Sequence, residues 1–141
     1  MSDAFVQLKN LEDREREFHG SQMSAVIGNH FGIDSVLNGL ELGVMEGKFD
    51  ACLLESFPNL KMTGVDIGLT RFSHPRFNLL VMSTDQAVKE FTRGQFDFVY
   101  VDADHYEEQV TKDITNYLPM VKLDGILAGH DYTEHAWGVK K

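Results

Sequence analysis

Residues 96–102, FDFVYVD, form an almost unbroken apolar run that ends in the carboxylate of Asp102. A strand with two apolar faces is typical of a parallel sheet that helices cover on both sides. The segment that follows, EEQVTKDITNYL at 107–118, places Val110, Ile114 and Tyr117 at helical spacing. A buried strand followed directly by an amphipathic helix predicts a β–α unit of an α/β fold.

The same alternation of strand and helix extends in both directions from this unit. Four more strands are predicted at 36–42 (VLNGLEL), 61–67 (KMTGVDI), 76–82 (RFNLLVM) and 124–131 (DGILAGHD), with helices at 49–57 and 85–94. Strands that alternate with helices pair in parallel through right-handed crossovers. We therefore predict an α/β fold: a doubly wound, Rossmann-like, mostly parallel sheet with helices on both faces.

The first 30 residues have a different character. Charged residues dominate 3–18, where EDRERE occupies 12–17, and we predict a surface helix there. A second helix is predicted at 21–31, with Ser21 as its candidate N-cap. At this length we expect a single domain, residues 1–141, with an N-terminal helical segment at 1–30 and an α/β core at 31–141.

Composition excludes several classes of protein. The formal net charge is −9, whereas nucleic-acid binding needs a basic surface. No apolar run approaches the roughly 18 residues of a membrane span, and the N-terminus lacks the pattern of a signal peptide. The one cysteine, Cys52, rules out a disulfide within the chain and fits a reducing compartment. We expect a cytoplasmic protein that binds neither nucleic acid nor membrane.

The carboxyl ends of the strands are where doubly wound sheets bind their ligands. The first such end, GLELGVMEGKF at 39–49, contains Gly43 and Gly47, which allow a sharp turn and a close approach of the backbone to a ligand. The pattern is neither a P-loop nor the GxGxxG fingerprint. Asp66 ends the next strand about 20 residues further on, where an acidic side chain can hold ribose hydroxyls. A nucleoside ligand is predicted; a tight turn and a helix cap are the alternatives.

Four segments together resemble the class I S-adenosylmethionine-dependent methyltransferases: GLELGVMEG at 39–47, GVDI at 64–67, FDFVYVDADHYEEQVTKDI at 96–114 and DGILAGHDY at 124–132. The resemblance is nearest to the metal-dependent O-methyltransferases of small molecules and sugars. It implies S-adenosyl-L-methionine as the cofactor. It also implies three kinds of cofactor contact: a loop at Glu41, Gly43 and Gly47, the ribose at Asp66, and the adenine at Ser83 and Thr84.

The resemblance further implies a divalent-metal site, with Mg²⁺ as the expected ion. Asp102 and Asp131 match the family's ligand positions, at the ends of predicted neighbouring strands that lie about 4.8 Å apart. Metal-dependent relatives carry Asn where this chain has Tyr132, so Asp104 is the candidate third ligand. Oxygen ligands suit such an ion. The alternative is that these aspartates cap the helix or loop that follows.

His105 and His130 each adjoin a proposed metal ligand, and either is a candidate general base for a substrate hydroxyl. A hydrogen-bonded structural role is the alternative for each. The resemblance thus predicts methyl transfer to a hydroxyl of a small-molecule substrate. Two hypotheses compete with it: a truncated or degenerate protein that binds the cofactor without catalysis, and a nicotinamide-dependent oxidoreductase.

The C-terminal residues affect how many strands the predicted sheet contains. The family usually adds two further strands, and the ten residues after Asp131 leave no room for them. We therefore expect the sheet to lack these two strands and the segment at 124–131 to be an exposed edge. Because open edges pair with other chains, a homodimer is predicted.

Overall fold

The computed structural model describes the backbone of residues 5–7, 16–102 and 106–129, and the side chains of residues 20–102 and 106–129. Within these ranges six strands form one sheet, and every neighbouring pair is parallel. They are β1 (Phe5–Gln7), β2 (Leu37–Leu42), β3 (Leu60–Asp66), β4 (Phe77–Val81), β5 (Phe96–Val101) and β6 (Val121–Gly129). Their order in the sheet is β1-β6-β5-β2-β3-β4.

Four α-helices connect these strands: α1 (Arg16–Phe31), α2 (Lys48–Ser56), α3 (Thr84–Ala87) and α4 (Glu107–Tyr117). Short 3-10 segments at Val88–Glu90 and Leu118–Met120 extend α3 and α4. All five strands predicted from the sequence are present, with bounds that differ by no more than three residues. The predicted doubly wound parallel sheet is confirmed.

Helices cover both faces of the sheet, as the apolar run of β5 predicts. On one face, Phe98 and Tyr100 are buried against α1 and α2, and the rings of Phe49 and Tyr100 stack 4.0 Å apart. On the other face, Val99 and Val101 are buried in a second cluster with side chains of α4. All six residues of β5 are buried.

The N-terminal segment differs from the prediction of two helices. Phe5–Gln7, within the first predicted helix, form β1, which pairs in parallel with Leu127–Gly129 of β6, and α1 covers 16–31, so it begins before the predicted Ser21. The edge of β6 offers unpaired backbone groups. Pairing with this distant strand determines the structure of Phe5–Gln7, in place of the helix that their weak helical spacing predicts. β6 is therefore not an open edge at 127–129. The predicted homodimer loses that structural premise and stays a prediction.

The helix predicted at 85–94 is shorter than expected. Residues 85–94 were expected to be helical, but α3 ends at Ala87, and Phe91 already has extended backbone, with φ −116° and ψ 161°. The ring of Phe91 packs edge-on against Phe96 of β5, with 5.0 Å between ring centroids. The packing of this partly buried aromatic side chain against β5 directs the chain away from the helix. None of the helices in the described ranges is long and apolar enough to cross a membrane.

Candidate functional site

A cavity of about 340 Å³ lies beyond the carboxyl ends of β2, β3, β4 and β5. Five of the residues singled out from the sequence line it: Gly43, Asp66, Ser83, Thr84 and Asp102. Parallel strands bring these positions together because all of their carboxyl ends meet at the same edge of the sheet. The prediction that this edge carries the site therefore agrees with where the cavity lies.

The turn after β2 is a backbone structure fixed by β3. Gly43 has φ 93°, in the left-handed region that only glycine enters without strain, and its N–H donates to the carbonyl of Val65 at 2.8 Å. The N–H groups of Val44 and Met45 both donate to Oδ2 of Asp66, each at 2.9 Å. Met45 itself has φ 54°. The turn thus presents Gly43, with no side chain, to the cavity.

Gly47 is required for a reason different from that of Gly43. It has φ 79° and caps the N-terminus of α2. A Cβ at this position would lie 2.4 Å from Cβ and Cγ of Phe72. Gly47 is not among the residues that line the cavity. In this structure the second glycine is required by backbone conformation and by packing against Phe72, and the structure gives it no contact with the cavity.

Asp66 is the charged side chain in this part of the site. Besides the two bonds from the turn, its Oδ1 accepts the N–H of Gly68 at 3.0 Å. Burial alone raises the pKa of Asp66, but the N–H bonds donated by Met45, Gly68, Val44 and Ile67 outweigh it and hold the pKa below its ordinary value. The carboxylate is therefore ionised at neutral pH. Oδ2 accepts two of these N–H bonds and Oδ1 accepts that of Gly68, so the acceptor capacity that remains for a ligand hydroxyl lies on Oδ1.

Ser83 and Thr84 form the wall after β4. Ser83 caps α3 through a capping box with Gln86, in which its hydroxyl accepts the N–H of Gln86 at 3.1 Å. The hydroxyl of Thr84 donates to Oδ1 of the buried Asp113 at 2.7 Å, and its carbonyl accepts the hydroxyl of Tyr117 at 2.7 Å. Both residues line the cavity, but α4 holds Thr84 by its side chain and its backbone, so its hydroxyl proton is already used.

The sequence analysis assigned no role to six other lining residues: Met45, Val65, Ile67, Met82, Asp85 and Gln109. Ile67 is an apolar side chain of this wall and is 80% exposed. Gln109 reaches the cavity from the first turn of α4, and its Nε2 lies 2.9 Å from Oδ1 of Asp113 and 3.3 Å from Oδ1 of Asp85. A polar residue in the first helical turn after a strand end was the available signal for Gln109.

Glu41 does not line the cavity. It is fully buried in β2, where it lies opposite Gly64 of β3 and Tyr100 of β5. Side chains alternate between the faces of a strand, so Glu41 faces the α1 and α2 layer while Leu40 and Leu42 belong to the opposite core cluster. The structure therefore does not bring this carboxylate to the cavity wall.

Asp102 is the one predicted metal ligand within the described residues. It is 7% exposed, its N–H donates to the carbonyl of Leu42 at 2.8 Å, and it lines the cavity. Asp104, His105, His130 and Asp131 lie outside the described residues. Among the residues that the structure does describe, no group of three or more His, Cys, Asp or Glu could hold a metal ion.

The arrangement can bind a nucleoside-like molecule. A carboxylate acceptor at Asp66, the bare backbone of Gly43 and apolar side chains at Val65, Ile67 and Met82 surround one space. Ligand pockets of this kind are mostly apolar, with a few placed polar groups that fix orientation. Asp102 adds a second carboxylate on the side of β5.

Solved structures with similar folds share little sequence with this chain. MycE methyltransferase from the mycinamycin biosynthetic pathway, with Mg, SAH and mycinamycin VI, gives a TM-score of 0.64 at 18% identity over 76% of this chain and 32% of its own. MycE with Mg and SAH gives 0.66 at 16% identity over 84% and 39%. A Staphylococcus aureus protein assigned as a caffeoyl-CoA O-methyltransferase gives 0.62 at 14% identity over 83% and 57%. The chain thus spans about a third of the MycE chain.

A comparison with curated proteins finds no match. A family model described as "Methyltransferase domain" matches residues 40–132, which is more than half of the chain. The matched segment begins in β2 and contains the glycine turn, Asp66 and Asp102. The fold, the site at the carboxyl edge of its sheet and this match agree, and the chain therefore belongs to the methyltransferase domain family.

Proposed function

We propose that this chain is the cofactor-binding core of an S-adenosylmethionine-dependent methyltransferase that methylates a hydroxyl of a small molecule. The observation that carries the proposal is the cavity in which the bare backbone of Gly43, the ionised Asp66 and the nearly buried Asp102 meet. MycE, which has a similar fold, was solved with SAH. A sugar hydroxyl is the acceptor class we propose, on the resemblance of the sequence to the metal-dependent O-methyltransferases of small molecules and sugars.

The residues fit the cofactor in distinct ways. Oδ1 of Asp66 would accept a hydrogen bond from a ribose hydroxyl, which a depressed pKa favours because the acceptor stays charged. Gly43 would let the amino-acid part of the cofactor pass close to the backbone. Val65, Ile67 and Met82 would cover the base. Glu41 and Gly47 do not line the cavity, and this proposal gives them no contact with the cofactor.

Methyl transfer needs alignment more than covalent chemistry from the protein. When bound, S-adenosylmethionine supplies a methyl group on a positively charged sulfonium. Transfer forms an O–C bond to the acceptor and breaks the S–C bond, and the hydroxyl proton goes to a base. The task of this chain is to hold donor and acceptor in line. His105 and His130 are the candidates for the imidazole nitrogen that takes the proton.

A divalent metal is part of the proposal. Asp102 would hold it together with Asp131 and Asp104, and the donor set consists of hard oxygen atoms that suit Mg²⁺. When bound, the ion would lower the pKa of the attacking hydroxyl. The support is the carboxylate of Asp102 on the cavity wall and the presence of Mg in MycE.

The first experiment is calorimetric titration of the chain with S-adenosylhomocysteine, with and without Mg²⁺, and with NAD as the control ligand. We expect micromolar binding of the first compound alone. The variant Asp66→Asn should bind it at least about tenfold more weakly, since a charged acceptor is lost. Asp124→Asn, the same substitution at an exposed position on β6, should bind normally.

Each other result has a distinct meaning. Binding of NAD alone would replace the proposal with the oxidoreductase hypothesis. Binding of neither ligand would remove the nucleoside site. Binding of S-adenosylhomocysteine without methyl transfer to any hydroxyl acceptor would favour the second candidate, a cofactor-binding protein without catalysis.

A further inference from the structure

We propose that a groove along α2, separate from the cofactor cavity, binds the phosphate group of a phosphorylated small molecule. The groove has a volume of about 690 Å³, within the range of sites that hold small-molecule ligands. Three side chains that can donate hydrogen bonds to an anion line it: Lys48, His74 and Arg76. It shares no lining residue with the cavity at the carboxyl ends of the strands, so the inference stands apart from the proposed function.

One wall of the groove is a face of α2. Four residues at helical spacing form this wall: Lys48, Ala51, Cys52 and Glu55. Residues three and four apart lie on the same side of a helix. His74 and Arg76, from the connection between β3 and β4, also line the groove. A ligand in the groove would therefore contact both this helix and that connection.

Arg76 is held in place by backbone carbonyls and still has unused donors. Its Nη1 donates to the carbonyls of Phe57 at 2.9 Å and Leu60 at 2.7 Å, and its Nη2 donates to that of Leu54 at 2.8 Å. A guanidinium has five N–H groups, so one on Nε and one on Nη2 remain, and no described residue accepts them. Phosphates and carboxylates accept two guanidinium N–H groups at once. Arg76 thus keeps the donors that such an anion needs.

The charge of Arg76 also lacks a partner in the described part of the chain. The side chain is half-buried, and none of the ion pairs among the described residues includes it. The carboxylate of Glu55 lines the same groove but forms no ion pair with Arg76. Charges that are removed from water are usually paired. In a chain whose formal net charge is −9, this guanidinium without a carboxylate partner is the observation that points to an anionic ligand.

His74 adds a second donor to the groove. Its Nδ1 accepts the backbone N–H of Arg76 at 3.0 Å, so the proton of the neutral ring is on Nε2. The ring stacks against Phe72 with 6.4 Å between ring centroids, and Phe72 in turn packs edge-on against Phe77. These contacts hold the imidazole before a ligand arrives. A donor that is already oriented loses less entropy on binding.

Lys48 provides a third donor. Its Nζ lies 3.8 Å from Oε1 of Glu46, and both side chains are more than half exposed, at 53% and 79%. Exposed ion pairs of this kind contribute little to stability, so the ammonium group is available to a ligand.

The donor set favours phosphate over carboxylate. A phosphate group presents three acceptor oxygens and a charge near −2 at neutral pH, whereas a carboxylate presents two oxygens and one charge. Guanidinium, imidazole and ammonium donors can therefore all find an acceptor on one phosphate. Ala51 and Pro58 also line the groove and offer apolar surface to the rest of the molecule.

The test is a titration of the isotope-labelled full chain at constant ionic strength, followed by the NMR shifts of its backbone amides. Phenyl phosphate is the probe, and benzoate is the carboxylate with the same ring. His74→Asn removes the Nε2 donor but keeps an oxygen that can accept the N–H of Arg76. Lys48→Met removes the ammonium group. Lys89→Met is the matched control, because Lys89 is exposed and does not line the groove.

We expect phenyl phosphate to shift the amides of Lys48, Cys52 and Arg76 saturably, and benzoate to bind at least about threefold more weakly. His74→Asn should weaken the binding of phenyl phosphate about tenfold, since it removes a hydrogen bond to a charged group. Lys48→Met should weaken it about threefold, as for the loss of an exposed charge pair. Lys89→Met should leave it unchanged.

Several results would overturn the inference. One is the absence of a saturable shift by about 10 mM phenyl phosphate. Another is a set of shifts centred on Gly43 and Asp66, which would place the anion in the cofactor cavity. Unchanged affinity in both His74→Asn and Lys48→Met would also overturn it, and equal binding of benzoate would overturn the assignment to phosphate. If His74→Asn fails to fold, the comparison of Lys48→Met with Lys89→Met decides.

The proposed function is tested separately, by the titration with S-adenosylhomocysteine. Because the groove and the cavity share no lining residue, loss of phosphate binding would leave the proposed function standing. Failure to bind S-adenosylhomocysteine would likewise leave the phosphate groove standing.

Discussion

The carboxylate of Asp66 accepts the backbone N–H of Met45 at 2.9 Å, across a chain separation of 21 residues. Its Oδ2 also accepts the N–H of Val44, so the end of β3 holds the turn that follows β2. The same carboxylate lines the cavity. One side chain therefore has two roles in this proposal: it shapes the glycine turn, and it would hold the ribose of the cofactor.

These two roles predict a pH dependence of stability. The folded-state pKa of Asp66 lies below its ordinary value of 3.8, so its ionised form stabilises the fold. That contribution is fully present above the unfolded pKa, near 3.8, and is lost as the pH falls through the folded pKa. We expect urea unfolding at pH 7 to show a modest destabilisation of Asp66→Asn, because the side chain is partly exposed. Near pH 3 the difference should shrink. A constant difference at both pH values would contradict the assignment.

Gly47 provides a second prediction, with a matched control elsewhere in the chain. Gly47 and Gly94 both have positive φ, 79° and 68°, but a Cβ on Gly94 meets nothing within 4 Å, whereas one on Gly47 overlaps Phe72. Gly94→Ala should cost about 1–2 kcal/mol for the left-handed conformation alone. Gly47→Ala should cost at least about 1 kcal/mol more. Urea unfolding measures both, and equal costs would show that Phe72 yields to the new methyl group.

A third prediction concerns the hydroxyls that join α3 to α4. Thr84→Val removes the donor to the buried Asp113 and should destabilise the protein by about 1–3 kcal/mol. Thr115→Val is the control, because the Thr115 hydroxyl donates to the carbonyl of Thr111 on an exposed face of α4. Its cost should stay within about 0.5 kcal/mol. Similar costs for the two variants in urea unfolding would show that the bond to Asp113 adds little.

Tyr117 predicts the behaviour of the fold at alkaline pH. Burial, with the nearby carboxylates of Asp113 and Asp85, raises the pKa of Tyr117 above its ordinary value of 10.0. Its neutral phenol is therefore favoured in the folded state, and this contribution is complete below pH 10.0 and is lost as the pH rises above it. Tyr117→Phe should cost about 1 kcal/mol at pH 7, since it loses the bond to Thr84. Above pH 10.0 the variant should lose stability less steeply than the wild type.

The sheet could be predicted from the sequence because its signals are local. Each strand from β2 to β6 is a short apolar run, and the turn signals between the runs mark where it ends. β1 could not be found in this way. Its partners, Leu127–Gly129, lie at the other end of the chain, and the polar segment around Phe5 carries a weak helical spacing instead. Pairing between distant segments leaves no periodic trace in either of them.

The site could be predicted only in outline for a related reason. The order of strand ends placed Gly43, Asp66 and Asp102 at one edge, and these three residues line the cavity. The sequence could not show that Gly43 and Gly47 have different roles. Gly47 is required because a side chain there would overlap Phe72, which lies 25 residues away along the chain. It likewise could not show that Gln109 faces α3, because that depends on how two helices pack.

The last prediction tests the metal. On the proposed function, Asp102→Asn should fold normally, since it keeps the backbone bond to Leu42, but it should weaken Mg²⁺ binding and lower methyl transfer by at least about 100-fold. Asp124→Asn makes the same chemical change at an exposed site and should leave both unchanged. Calorimetric titration of Mg²⁺ into protein saturated with S-adenosylhomocysteine measures the first effect, and transfer of a labelled methyl group measures the second.

Normal Mg²⁺ binding by Asp102→Asn would show that the ion is held by other residues. Full transfer activity without added Mg²⁺ and with a chelator present would instead mean that in-line alignment suffices for the reaction.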